Sequence, residues 1–542
     1  MSGALRIVRA RLWSGVPLAA DAMLVRDGRI TALGTSAEIR GLDPAAPEID
    51  ACDATVTPGL IDAHLHFVPW ARARRQPDLH GTRSRTEAVA RVAEALAALP
   101  PGDAPLVGRG WDESDWSEAP DRVALDAVAP TRPVVLHRHD FHALWVNSAA
   151  LRAAGVTAAT RDPDGGRFER DHTGEPDGVV REHAVRAFHA LEDRAAPVID
   201  DALLDDAARA LHAHGITTVH DYQRNHDDWQ RMHALSRRGH LRVLQMIGEE
   251  QLRASGALGL AGGAGDARFR TGSLKLFADG TLGSRTAALL APYDDRGGLG
   301  MKLLTASELR DRVGEAAAAG FSVTIHAIGD GAVRDSLDAI EAHHARLAAL
   351  PLPPRIEHVQ LLDDRDRPRF RALGVIASMQ PQHASSDAPV ARRAWGTRCS
   401  RSYPWRALLD SGATLAFGSD APVEPPHVAS GLASAVERIG CDGLSFEPAQ
   451  AIPLDAALRA YTQGAARAAG GTLGPGTLEV GAPADLVVWD RDLHRAAPGA
   501  LGEAGPRFTA LAGEIVYDSL TGSSPRGMPG ETPAAGRARG SE

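Results

Sequence analysis

The chain has 542 residues, 44% of them hydrophobic and 24% charged, which suits a globular protein large enough for a barrel with additions and excludes wholesale disorder. Its net charge of −10 argues against nucleic acid or an anionic membrane as the main partner, and no apolar run is long enough to span a bilayer. Cys52, Cys399 and Cys441 are far apart and form no Cys-x-x-Cys pair, so a zinc–thiolate site is excluded. Residues 1–13 carry Arg6, Arg9 and Arg11 without an apolar core, unlike a signal peptide. A cytoplasmic protein acting on a small molecule is expected, with a homodimer left open.

Residues 1–57 read as a small β unit. Apolar-rich runs at 5–12 and 23–26 are followed by the hairpin signal Asp27-Gly28 and a further run at 29–33. The far end echoes it, with strand signals at 484–489 and 508–512 and a hairpin through Gly513-Glu514. One discontinuous β-sandwich built from residues 1–57 and 471–520 is therefore expected. Residues 521–542 are rich in Gly, Pro, Ser and Ala and are expected to be disordered.

Between those ends, strand and Ala-rich helix alternate, which implies a parallel sheet and, at this length, a (β/α)8 TIM-like barrel over residues 58–470. Strand candidates fall at 60–66, 133–139, 216–221, 241–247, 273–278, 322–327, 355–359, 375–380 and 414–419. That is one too many for eight places. The surplus strand is assigned to a large insertion of about residues 70–199 after the first barrel strand, packed over the barrel mouth.

The chemistry starts at Pro58-Gly59-Leu60-Ile61-Asp62-Ala63-His64-Leu65-His66. Side chains two apart on a strand share a face, so His64 and His66 can meet one metal ion. The pair His212/His214 ends a helical run and points to opposite sides. His137/His139 could be strand-borne and remains a competitor. Barrel active sites form at the carboxyl ends of the strands, and those ends also carry Lys275, His326, His358 and Asp420. A lone strand-end histidine is usually structural, and an Asp after Gly-Ser often caps a helix; six such residues at one rim are another matter. Histidine and carboxylate without thiolate fit zinc or a neighbouring divalent ion. Of 59 basic residues only Lys275 and Lys302 are lysine. Arginine stays protonated, so a retained lysine at a strand end suggests a role that only a neutral amine can fill.

These motifs resemble the amidohydrolase superfamily of metal-dependent hydrolases. Lys275-Leu276-Phe277-Ala278-Asp279-Gly280, His326-Ala327-Ile328-Gly329-Asp330 and Ser378-Met379-Gln380-Pro381-Gln382-His383 resemble its amidohydrolase type 3 branch, which contains N-substituted formamide deformylase-like proteins. The resemblance implies a binuclear centre, with His64, His66 and Asp420 on one metal and His326 and His358 on the other. Lys275, carboxylated to a carbamate, would bridge them. Asp420 would also be catalytic, moving a proton from water to the leaving amine. The implied reaction is hydrolysis of a non-peptide C–N bond in an N-substituted amide or formamide. Ester or lactone hydrolysis, decarboxylation and a non-catalytic barrel are the alternatives. For substrate contacts, Trp111 and Asp112 are candidates from the insertion; His142 and Asn147 match a segment of the same branch. Arg285 and His383 complete the set.

Overall fold

The computed structural model describes residues 3–519, apart from 100–101, 114–115, 140, 196–198, 223–225 and 258. The stretch 521–542 lies outside the described residues. No helix among the described residues is long and apolar enough to cross a membrane.

Eight parallel strands form the expected barrel: Leu60–Leu65, Ile216–Asp221, Arg242–Ile247, Phe269–Phe277, Val323–Ala327, Arg355–His358, Ile376–Met379 and Thr414–Phe417, neighbours in that order. Their near-continuous burial reflects helices outside and a packed interior. The seam closes beyond the strand ends, where Asp420 N donates to His64 O (2.6 Å) and His66 N to Ala421 O (2.8 Å). Helices cover the outside; Ala306–Ala318, for instance, is opened by a capping box between Thr305 and Glu308 and buries Leu309, Val313 and Ala316.

The ninth strand candidate is Val134–Arg138, and it belongs to the insertion. There it lies in a separate sheet, in the order Gly166–Arg170, Pro176–Glu182, Ala143–Val146, Val134–Arg138, Leu106–Trp111. A core of Trp111, Trp145, Leu125 and Leu136 holds that sheet against its own helices.

Strands from both ends of the chain build the small sandwich. One sheet runs Arg29–Gly34, Ala22–Arg26, Leu5–Val8, Glu48–Asp50; the other runs Arg11–Leu12, Thr55–Pro58, Leu486–Trp489, Pro506–Leu511, Glu514–Asp518. Ile7 and Met23 from one sheet pack with Val56, Val488 and Phe508 from the other. Asp27 and Gly28 turn the first hairpin with φ of 49° and 75°, the left-handed pair that a tight two-residue turn requires. Gly59 joins sandwich to barrel, and a Cβ there would stand 2.4 Å from Thr217 Oγ1. This close approach explains the Pro-Gly entry to the first barrel strand.

Candidate metal centre

The carboxyl ends of the barrel strands bring the six singled-out residues into one buried cup. Asp420 Oδ1 lies 3.3 Å from His64 Nε2 and 3.5 Å from His66 Nε2. Two ligand atoms each about 2.1 Å from an ion at the tetrahedral angle stand about 3.4 Å apart, so each histidine–Asp420 pair has the spacing of two ligands on one zinc-sized cation. Each imidazole is turned by a partner on its other nitrogen: His64 Nδ1 donates to Glu357 Oε2 (2.7 Å) and His66 Nδ1 to the Tyr222 carbonyl (2.8 Å). Such outer bonds are how metal-binding histidines are commonly oriented.

A second group adjoins it. His358 Nδ1 donates to Gln380 Oε1 (2.8 Å), and His326 Nε2 donates to Gly280 O (3.1 Å), which leaves His326 Nδ1 as its lone-pair atom. The two rings are 4.5 Å apart, and His358 is 5.2 Å from His64. Lys275 Nζ lies over the rings of Tyr222 (4.6 Å) and Phe277 (5.0 Å). The ligand atoms of His64, His66 and Asp420, and separately those of His358, His383 and Asp420, all lie within 4.8 Å of one another. Asp420 and His358 adopt positive φ (62° and 77°), a strained backbone of the kind that clusters at functional sites.

Electrostatics prepare the donors. Burial, followed by the Lys275 charge, pushes His64 down to about 4 and His326 down to about 3; burial also places His358 well below its ordinary value. These imidazoles are therefore neutral at pH 7, as ligation requires. Burial alone would raise Asp420, but His64, His66 and His358 hold it well below the usual carboxylate range, so it is ionised.

The substrate candidates separate. Trp111 is fully buried in the insertion core, donates to Leu136 O (2.8 Å) and packs on Trp145. It is no pocket wall. Asp112 is paired with Arg138 at 2.7 Å. Asn147 caps the helix Ser148–Ala153 and is bonded to Val134 N, Ala129 O and Arg132 O, a structural post. Arg285 turns to Asp295 (2.6 Å) and to the carbonyls of Leu282 and Gly283. His142 bonds Glu182 (2.8 Å), whose other oxygen accepts from Thr286 Oγ1 (3.2 Å); this ties the insertion to the loop after the Phe269–Phe277 strand. His383 lies at the cup, its Nε2 3.9 Å from Asp420 Oδ2.

The competing pairs go elsewhere: His137 to Glu192, His139 towards Asp112, His212 to the His240 carbonyl, and His214 against His427. Sequence reasoning missed Glu357, Tyr222, Gln380 and Asp62, which hold the cup from behind. The only available signal was a charged residue inside a strand, as in Arg355-Ile356-Glu357-His358.

A closed parallel barrel with a histidine–carboxylate cup at its carboxyl face defines a class of barrel hydrolases. The chain belongs to the amidohydrolase family, whose model matches residues 47–517, and it is a hydrolase. It is 31% identical to YtcJ of Bacillus subtilis (strain 168), over 92% of this chain and 96% of that one. It is 30% identical to the N-substituted formamide deformylase of Arthrobacter pascens, over 93% and 96%. A metal-dependent hydrolase from Pyrococcus furiosus superposes with a TM-score of 0.69 at 26% identity, covering 89% of this chain and 98% of that one.

Proposed function

We propose that the chain is a divalent-metal-dependent hydrolase that cleaves non-peptide C–N bonds in small N-substituted amides or formamides. The observation that carries this reading is the spacing of His64, His66 and Asp420, with two imidazoles and a carboxylate gathered around one point. Likeness to the Arthrobacter pascens deformylase, 30% identical, supports the substrate class.

His64, His66 and Asp420 would hold one cation, and His326 and His358 the second, with Lys275 carboxylated as the bridge. Zinc suits the donors. Bound there, the cations would acidify a water and polarise the substrate carbonyl. Asp420 is the proton carrier: ionised, with Oδ2 on the side of His383 (3.9 Å), it accepts a proton from the attacking water and returns it to the leaving nitrogen. His383 supplies a hydrogen bond. With the Gln360 amide donating to its Nδ1 (3.4 Å), its proton would sit on Nε2, an atom with no hydrogen-bond partner among the described residues. That N–H can meet the carbonyl oxygen as charge builds on it.

Metal stoichiometry, the intact mass of a Lys275 fragment under carbamate-preserving conditions, and amine release from N-formyl and N-acyl amines test the reading. Bound metal with amine release supports it. Absence of metal, or release of acid from esters alone, overturns it.

A further inference from the structure

Tyr222 follows the second barrel strand and touches three members of the cup and one residue behind it. Its ring stacks on His64 with centroids 4.0 Å apart and planes 21° apart, and Lys275 Nζ sits over the same ring. Its carbonyl accepts from His66, and its hydroxyl donates to Glu357 Oε1 (2.9 Å). Glu357 uses its other oxygen for His64. Behind it lies Arg355, 3.0 Å away, with Glu357 and Arg355 both fully buried. Arg355 is fastened to Ala63 O (2.6 Å), Ser378 Oγ (2.7 Å) and His220 Nδ1 (2.9 Å), bonds that reach three other barrel strands.

The network has one chemical consequence at the cup. The Nδ1–H of His64 is committed to a carboxylate, so its lone pair belongs to Nε2, the atom facing Asp420. The other oxygen of Glu357 is paired with the Arg355 guanidinium at 3.0 Å, so the acceptor facing the His64 proton is a carboxylate held in a buried ion pair. A charged acceptor makes the imidazole a stronger donor to a cation.

On the reading that the cup holds a divalent ion, we infer that Tyr222 and Glu357 are positioning residues that set its metal affinity, through the tautomer and tilt of His64 and the placement of His66. Neither side chain ligates the ion. Glu357 holds the His64 proton, and Tyr222 is the wall that keeps His64, His66 and Lys275 in register.

Two variants of the full-length protein test this. Tyr222→Phe removes only the hydroxyl. Arg355→Gln/Glu357→Gln removes the buried charges together, because removing Glu357 alone would strand a buried arginine. Zinc affinity is measured by competition with a chromophoric chelator after metal removal, and the cobalt(II) protein by visible absorption. The double variant is expected to bind zinc about 10–100-fold more weakly, with an altered cobalt spectrum. Tyr222→Phe should show a smaller loss in the same direction, and it decides the matter if the double variant does not fold. Folded variants with parental affinity and spectrum overturn the inference while the metal reading stands. A parent protein that binds no metal removes both.

Discussion

Asp62 and Ser419 join the first barrel strand to the segment that follows the last. Asp62 Oδ2 accepts the Ser419 hydroxyl at 2.6 Å, while Oδ1 accepts Ser419 N (3.0 Å) and His64 N (3.1 Å). The residues on either side of this clasp, His64 and Asp420, are the ones whose spacing defines the cup. Asp62→Ala would leave three buried donors without an acceptor, at about 1–3 kcal/mol for each that finds no water. A drop of several degrees in thermal midpoint together with lost zinc stoichiometry is expected. Full zinc content in that variant would show that the clasp serves the barrel alone.

His326 and His383 both face His358, yet the reading assigns them different work. His326→Ala should lower metal stoichiometry. His383→Ala should keep the metal and lower kcat/KM by about 10²–10³, the usual loss for a hydrogen-bond donor to a developing oxyanion. Elemental analysis and amine-release kinetics on the same preparations separate the two. Equal metal loss in both would make His383 a ligand.

Trp111 is a core residue of the insertion, so its effects should be structural. Trp111→Ala should destabilise the insertion by about 3–5 kcal/mol, the usual range for a buried tryptophan. Trp111→Phe, which keeps most of the packing, should leave KM within about twofold, since a residue that does not touch substrate contributes no differential binding. A large rise in KM for a stably folded Trp111→Phe would return it to the pocket wall.

Acid should weaken the packing of sandwich on barrel through His212. This side chain is 1% exposed, its Nε2 donates to His240 O (2.7 Å), and its own carbonyl accepts from Thr509 (2.7 Å). Burial lowers it to about 4; the bond to the His240 carbonyl opposes this, while the charges of His240 and Arg209 add to it. An unfolded histidine titrates near 6.5, so between about pH 6.5 and 4 the unfolded chain takes up the proton and the folded one does not. The stabilisation is complete above pH 6.5 and is lost as pH falls through that window, by about 3 kcal/mol. Urea midpoints from pH 7 to 4.5 should fall more steeply for the parent than for His212→Gln. Parallel curves would rule His212 out as a source of the acid sensitivity.

Much of the site is legible in the linear chain because strand chemistry is local. His64 and His66 share a face through the two-residue period of a strand. Lys275, His326, His358 and Asp420 each lie near or just past the carboxyl end of a strand, where a barrel presents its reactive groups. The sandwich from both termini is legible for the same reason, as alternating runs and turn residues at each end. Arg285 and Trp111 misled because sequence does not say which way a loop side chain turns: one reaches back to Asp295, the other packs on Trp145.

What periodicity could not supply were contacts across strands. The surplus strand Val134–Arg138 has the same composition as a barrel strand; counting sends it to the insertion, but its partners there, Ala143–Val146 and Leu106–Trp111, come only from the structure. Glu357, Tyr222, Arg355 and Asp62 lie as much as 357 positions from the groups they hold. Local pattern therefore set which side chains reach the barrel rim, through the two-residue alternation of each strand. Closure of the barrel decided which nitrogens face the cup and which residues stand behind them, because hydrogen bonds between distant strands form only once the sheet has curved back on itself.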